Sequence, residues 1–217
     1  MTVKTLLFDL DGTLVDTGEG ILASIAHALA KLGDSDKIDA NGMRKFIGPP
    51  LKPAFMEYCG YDEERALLAV RLFREHYAEI GKSLCTPYPG MHEALAALSA
   101  AGCRLFVATS KPTVFAREIL SRWKMDHFFA DIVGSNLDNT RSKKHEVIEY
   151  ILDTHGITDK ENTVMIGDKA QDLIGARQCG LPALGVTYGF GSVEELSGEP
   201  HLALVASPAA HADYFLA

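Results

Sequence analysis

The sequence predicts an α/β fold, a doubly wound parallel sheet with an inserted all-helical domain. From Pro87 onward, short apolar runs alternate with stretches of helical apolar spacing, which is typical of βαβ units in a sheet covered on both faces. From residue 17 to about residue 84 the spacing is helical throughout. Because an apolar run precedes residue 17, the helices are expected to interrupt the sheet directly after its first strand.

The first strand is predicted over Val3–Phe8, a short apolar run with β-branched and aromatic residues. The helix that follows it is capped by Asp16 or Thr17 and runs to about Lys31. Three more helices are expected before residue 84, over Asn41–Phe46, Lys52–Cys59 and Asp62–Ile80. A loop is required at Ile47–Leu51, since its two prolines are excluded from helix interiors.

The rest of the chain is predicted to alternate between strands and helices. Strands are expected at Cys103–Thr109, Asp131–Gly134, Thr163–Gly167, Ala183–Val186 and Leu202–Val205. Helices are expected at Met91–Ala101, Thr113–Trp123, Ser142–His155, Ala170–Cys179 and Pro208–Phe215. The predicted domains are a sheet core, residues 1–16 and 86–217, and a helical cap, residues 17–85. Ligands bind at the carboxyl ends of the strands in such sheets, so we expect the insert to cover that edge.

Composition and charge exclude several classes of function. The chain has 217 residues, 47% of them hydrophobic, and a formal net charge of −8, which argues against an electrostatic nucleic-acid binder. No apolar run reaches the roughly 18 residues that a membrane span needs, and we expect no signal peptide, since the apolar stretch and cleavage site of one are missing before the first strand. Its four cysteines form no CxxC pair, so reduced thiols are expected. We expect a cytoplasmic monomer or weak homodimer without nucleic-acid or membrane partners.

Two carboxylates stand at the end of the first predicted strand. Asp9 and Asp11 are two positions apart, so they start on the same side of an extended chain, and Gly12 permits a sharp turn. Anions held this close repel each other, and such a pair usually holds a cation or divides acid and base roles. The plain alternative is an acidic turn that ends the strand.

A second pair of carboxylates follows the strand at Thr163–Gly167. Asp168 and Asp172 lie four residues apart at the start of a helix and share one face of it. Taken singly, each is explained as a cap or a first-turn acid that favours the helix dipole. Parallel strands bring both acidic pairs to one edge of the sheet, and several carboxylates in one cleft require a hard cation such as Mg2+.

Hydroxyl groups follow the strand at Cys103–Thr109. Thr109 and Ser110 are expected to open a loop into the next helix. They are candidates to present a hydroxyl and backbone N–H groups to a phosphate, the alternative being a helix cap.

A lysine pair opens the helix at Ser142–His155. The start of a helix is an unfavourable place for a cation against the dipole. A solvated face is the usual explanation for Lys143 and Lys144. Lys144 is the functional candidate, since it lies three and four positions before Val147 and Ile148 of the expected buried face.

The sequence resembles the haloacid dehalogenase-like (HAD) superfamily, whose four motifs it carries in order. These are Asp9-Leu10-Asp11-Gly12-Thr13, then Thr109 after a strand, Lys144 opening a helix, and Gly167-Asp168 with Asp172. The helical insert resembles the small cap of the phosphoglycolate phosphatase-like and β-phosphoglucomutase-like branch. The resemblance implies a Rossmann-like core and a Mg2+-dependent phosphatase.

The resemblance also implies roles for these residues. Asp9 would be the nucleophile that forms an aspartyl-phosphate, and Asp11 the general acid and then base. Lys144 and Thr109 would offset the charge of the phosphoryl group. The metal site would comprise Asp9, the main-chain carbonyl of Asp11, Asp168 and Asp172, the last orienting Lys144 or a metal-bound water.

The expected substrate is a small phosphorylated metabolite: phosphoglycolate, a nucleotide or a sugar phosphate. Candidates for binding it are Ser110 and, in the insert, Gly48, Pro49 and Lys52. The alternative for the insert residues is a helix–helix turn with a solvated cation. Two other functions stay open, namely a sugar-phosphate mutase of the β-phosphoglucomutase type and a non-catalytic phosphate-binding module.

Overall fold

The structure is a computed structural model that describes residues 4–138 and 140–217. It divides into two compact units, one formed by the chain up to Asp16 together with Pro87–Ala217, and the other by Thr17–Thr86. We call them the core unit and the helical unit. No helix among the described residues has the length and apolar character needed to cross a bilayer.

Eight strands are present in the described chain. They are β1 (Thr5–Phe8), β2 (Val15–Asp16), β3 (Thr86–Pro87), β4 (Arg104–Pro112), β5 (Asp131–Ser135), β6 (Thr163–Gly167), β7 (Ala183–Val186) and β8 (Leu204–Val205). Six of them form one sheet in the order β5-β4-β1-β6-β7-β8, and its described pairings are parallel. The predicted doubly wound α/β fold is therefore confirmed.

The helical unit contains α1 (Gly18–Lys31), α2 (Ala40–Arg44), α3 (Leu51–Cys59), α4 (Glu63–Glu79) and a 3-10 turn at Gly81–Ser83. Its helix ends follow local rules. Asp62 caps α4 by accepting a hydrogen bond from Arg65 N at 2.8 Å, and Gly60 ends α3 in the left-handed region at φ 64°.

The core unit contains α5 (Met91–Ala100), α6 (Thr113–Arg122), α7 (Lys144–Thr154), α8 (Ala170–Gln178), α9 (Val193–Ser197) and α10 (Ala209–Leu216). The register places Leu7 beside Phe106 and Met165, and these three side chains pack with the apolar faces of α7 and α8. Burying each such side chain contributes roughly 1.5–3 kcal/mol. Phe8 points to the opposite face, where its ring meets His211 of α10.

The core unit has a longer strand and an additional helix compared with the predicted elements. The strand predicted to end at Thr109 continues to Pro112, since Pro112 still pairs with Ser135 beyond a register shift, so Thr109 and Ser110 lie in a strand and not in a loop. The five-residue α9 is too short to show periodicity and was not predicted. In the first strand, Val3 lies outside the described residues.

Candidate active site

The strand register brings the predicted motifs together. Phe8 at the end of β1 is level with Val107 of β4 and Ile166 of β6. The residues that follow, Asp9 and Asp168 among them, therefore emerge at the same edge of the sheet. Local alternation and the parallel pairing suffice to place them there.

Three carboxylates form the centre of this edge. They belong to Asp9, Asp168 and Asp172, and each of these residues is at most 5% exposed. One carboxylate oxygen from each residue lies within 4.8 Å of the chosen oxygens of the other two. Carboxylate oxygens at this spacing are suitable ligands for a hard divalent cation. The carboxylate of Asp11 is outside this set, so a contact of Asp11 to a metal through its main-chain carbonyl stays a prediction.

Lys144 contacts two carboxylates of the cluster and the main chain of β4. Its Nζ lies 2.9 Å from Oδ1 of Asp9, 2.9 Å from Oδ1 of Asp172 and 2.7 Å from the carbonyl oxygen of Ala108. Three acceptors match the three N–H donors of an ammonium group. Gly175 of α8 leaves room for the lysine stem, because a Cβ there would stand 2.7 Å from Lys144 Cβ.

Burial and the excess of negative charge in the cluster shift the pKa values of its members. Burial raises the pKa of Asp9 to about 6; Lys144 opposes this, and Asp172 and Asp11 add to it. Burial, followed by repulsion from Asp172 and Asp9, raises the pKa of Asp168 well above its ordinary value. Burial alone would lower the pKa of Lys144, but the two carboxylates it contacts hold it above the ordinary value.

Asp168 is oriented by the loop after β7 and by the turn after β1. Its Oδ2 accepts a hydrogen bond from Phe190 N at 2.7 Å, and Thr13 Oγ1 lies 3.5 Å from its Oδ1. Glycine is required where these segments meet. A Cβ at Gly12, whose φ is +79°, would stand 2.2 Å from Asp168 Oδ2, and one at Gly191 would stand 1.8 Å from its carbonyl oxygen.

Lys111 is a charged residue of this edge that our sequence analysis did not single out. Its Nζ lies 2.9 Å from Asp11 Oδ1, and both side chains are buried. Thr109 is also buried, and its Oγ1 accepts a hydrogen bond from Lys111 N at 3.3 Å. The period of two along β4 was a signal for Lys111, since it shares a face with Thr109 once the strand is known to continue.

The other predicted substrate contacts are on different elements. Ser110 is half-buried on β4, with its side chain on the face opposite that of Thr109 and Lys111. Gly48 and Pro49 lie in the loop before α3 of the helical unit. Lys52 on α3 forms an ion pair with Glu63 at 2.5 Å, so it has a partner within its own unit. Their roles toward a substrate stay predictions.

Comparison with known proteins identifies the family. A family model described as haloacid dehalogenase-like hydrolase matches residues 6–186. The chain is 48% identical over 191 residues to a protein of Pseudomonas aeruginosa named 5'-nucleotidase, which covers 88% of this chain and 86% of that protein. It is 27% identical over 202 residues to a phosphoglycolate phosphatase of Vibrio parahaemolyticus, which covers 90% of this chain and 88% of that one.

A solved structure agrees with these matches. The crystal structure of a predicted phosphatase from Clostridium acetobutylicum superposes with a TM-score of 0.94 at 41% identity, covering 100% of this chain and 99% of that one. The phosphatase expectation and the resemblance stated above are thus confirmed. The chain belongs to the haloacid dehalogenase-like hydrolases and is a phosphoric monoester hydrolase among them.

Proposed function

We propose that the protein is a Mg2+-dependent phosphatase of small organic phosphates that works through an aspartyl-phosphate on Asp9. The observation that carries this proposal is the buried cluster of Asp9, Asp168 and Asp172 around Lys144. A carboxylate nucleophile, a cation beside it and a set of oxygen ligands are what phosphoryl transfer requires.

The donor set fits Mg2+. Three buried carboxylates are faced by one ammonium group, so a divalent cation would offset the remaining charge, and oxygen is the ligand type that Mg2+ prefers. Asp9 and Asp168 would hold the ion, together with the carbonyl of Asp11. Asp172 would orient Lys144, since its Oδ1 accepts from Lys144 and its Oδ2 from Lys169 N at 3.1 Å. When bound, the ion would supply positive charge to the phosphoryl oxygens.

Asp9 performs the first step. One of its oxygens attacks phosphorus while the bond from phosphorus to the ester oxygen breaks, and Asp11 gives its proton to the leaving alkoxide. The backbone N–H of Leu10 donates to Asp9 Oδ1 at 2.7 Å and Lys144 donates to the same oxygen, so the carboxylate is oriented before the substrate arrives.

Hydrolysis of the aspartyl-phosphate completes the cycle. Asp11 takes a proton from water as the water oxygen attacks phosphorus, and the bond from phosphorus to Asp9 breaks to release phosphate. Lys144, Lys111 and the hydroxyl of Thr109 face the phosphoryl group and offset the charge spread over its oxygens.

Nucleoside 5'-monophosphates are the first substrate class to test. The support for them is the 48% identity to the protein named 5'-nucleotidase. Phosphoglycolate and sugar phosphates form the comparison set, with Gly48, Pro49 and Lys52 as candidate determinants of the choice between them.

The nucleophile assignment is tested with Asp9→Asn, measuring phosphate release from p-nitrophenyl phosphate and a nucleotide panel. We expect turnover to fall at least about 10³-fold. Asp153→Asn, an exposed acid on α7, is the matched control and should keep wild-type turnover. Appreciable turnover by Asp9→Asn would refute the assignment, and isomerisation of a hexose 1-phosphate without phosphate release would indicate a mutase instead.

The metal requirement is tested separately. EDTA should abolish turnover and added Mg2+ should restore it. Mg2+ should also raise the Tm of the wild-type protein, since an ion that binds only the folded state stabilises it. Asp168→Asn should lose that rise while Asp153→Asn keeps it. Full turnover in EDTA would contradict the proposal.

A further inference from the structure

A tyrosine and a histidine far from the four motifs meet at the turn that carries the catalytic aspartates. Tyr188 follows β7, and His211 lies on α10, the last helix of the chain. The Tyr188 hydroxyl lies 3.0 Å from the carbonyl oxygen of Thr13 and 3.0 Å from Nε2 of His211. His211 is completely buried. The mechanism above uses neither residue.

Counting protons fixes the direction of both hydrogen bonds. A tyrosine hydroxyl has one proton, and a backbone carbonyl only accepts. Tyr188 therefore donates to Thr13, and His211 must donate from Nε2 to Tyr188. The histidine therefore carries a proton on Nε2, and burial, which lowers the pKa of His211 from 6.5 to about 4, keeps the ring neutral. Nδ1 is left as an acceptor, and it has no hydrogen-bond partner among the described residues.

The same histidine touches the other end of the turn. Its ring packs edge-on against Phe8, with centroids 5.7 Å apart and planes at 81°. Phe8 immediately precedes Asp9, and Thr13 closes the turn through Leu10 by a hydrogen bond of 3.3 Å. Segment 8–13 is thus held at its start by the His211 ring and at its end by Tyr188.

Thr13 connects this contact to the second acidic motif. Its hydroxyl lies 3.5 Å from Asp168 Oδ1, and the residues beside Tyr188 approach the same place. A Cβ at Gly189 would stand 2.2 Å from the carbonyl oxygen of Gly12 and 2.4 Å from Asp168 Cβ. A shift of Tyr188 would therefore move the turn and Asp168 together.

We infer that Tyr188 and His211 are positioning residues that hold the 8–13 segment in the geometry needed for attack by Asp9 and proton transfer by Asp11. The inference rests on the proposed function for its kinetic consequences. Neither residue touches the reacting atoms. Apolar side chains would fill the same space, but they would not form the ordered hydrogen bonds to the turn. Such hydrogen bonds matter because a small misplacement of a nucleophile lowers the reaction rate strongly.

The kinetic test uses Tyr188→Phe and His211→Leu, each of which removes one link of the chain. We expect kcat to fall between about 10- and 100-fold with little change in the KM for a nucleotide. His211→Gln retains an N–H donor and should recover most of the lost kcat. The double variant Tyr188→Phe/His211→Leu should be no slower than Tyr188→Phe, since both changes break one chain.

Matched controls use the same substitutions at exposed positions of the core unit. Tyr214→Phe on α10 and His201→Leu after α9 should keep wild-type kcat. A lowered Tm with unchanged kcat in Tyr188→Phe and His211→Leu would show that the pair is merely structural and would overturn the inference.

Two readouts do not depend on turnover. The ¹⁵N shifts of His211 should report a neutral ring protonated on Nε2, and a ring protonated on Nδ1 would overturn the inference. The amides of Gly12–Val15 should exchange hydrogen faster in Tyr188→Phe than in Tyr214→Phe, and equal rates would also overturn it. If the wild-type protein lacks Mg2+-dependent phosphatase activity, the proposed function fails, while these two measurements still decide whether the pair holds the turn.

Discussion

Lys111 Nζ lies 2.9 Å from Asp11 Oδ1, so the carboxylate proposed to carry the proton is held by a buried cation from the neighbouring strand. Asp11 follows β1 and Lys111 lies on β4, and these two strands are paired in parallel. Two charges removed from water require each other, and removing one leaves the other uncompensated. Lys111 also adds positive charge where the phosphoryl group is proposed to bind.

Replacing Lys111 tests this pair. Lys111→Met should lower kcat/KM by about 10- to 100-fold, because Asp11 loses its orientation and the site loses a charge. Steady-state kinetics with p-nitrophenyl phosphate measures the effect. Lys143→Met, an exposed lysine before α7, is the matched control and should behave as wild type. Equal kcat/KM in both variants would show that Lys111 has no part in the reaction.

Lys144 is predicted to matter for stability as well as for turnover. Lys144→Met leaves Asp9 and Asp172 buried without their common cation, and breaking such an arrangement typically costs about 3–5 kcal/mol. We expect the free energy of unfolding in urea to fall by that amount without Mg2+ and by less with it. Lys143→Met should not change it. Unfolding curves that coincide for Lys144→Met and wild type would contradict this account of the cluster.

Gly191 is predicted to be intolerant of a side chain. Gly191→Ala would place a Cβ 1.8 Å from the carbonyl oxygen of Asp168, so the loop or the aspartate must move. We expect a lower Tm and a weaker response of Tm to Mg2+. Gly198→Ala is the control, since its nearest neighbour would be 3.5 Å away and its φ is −71°. Gly191→Ala with the Tm and Mg2+ response of wild type would disprove the close approach.

His211 should make the fold sensitive to acid. Burial lowers the pKa of His211 from 6.5 to about 4, so the unfolded chain binds its proton more readily than the folded protein. The neutral ring therefore contributes stability that is fully present above pH 6.5 and is lost as the pH falls toward 4, by about 3 kcal/mol at most.

Urea unfolding at a series of pH values between 7.5 and 4 measures this slope. The variant His211→Gln, which has no titrating ring, should show a shallower decline over the same interval than wild type. The matched change His201→Gln at an exposed position should keep the wild-type slope. A slope that His211→Gln leaves unaltered would assign the acid sensitivity to other groups.

The parts of the site that could be read from the sequence share one property. Asp9 and Asp168 each follow a run of apolar residues that is buried on both faces, so strand ends are visible as changes of polarity. The strands at Thr163–Gly167 and Ala183–Val186 are confirmed at both ends for the same reason. Lys144 was chosen as a candidate because a cation at the start of a helix is unfavourable against the helix dipole.

Other residues carry no such local signal. Lys111 was missed because β4 continues past the end of its apolar run, and a strand extended by pairing with a neighbour cannot be seen in its own residues. Tyr188 contacts Thr13 across 175 residues of chain, Phe190 contacts Asp168 across 22, and His211 contacts Tyr188 across 23. These contacts depend on the tertiary packing of the segments after β7 against the turn after β1.

The sequence by itself determined the parallel sheet, the helical insert and the meeting of four motifs at one edge, because periodicity and strand direction are local properties that parallel pairing carries into space. Only the tertiary structure decided which atoms pair there: Lys111 with Asp11, Lys144 between Asp9 and Asp172, and His211 behind the 8–13 turn. Those pairings follow from close packing and the desolvation of charge, which act between segments distant in the chain and leave no periodic trace in it.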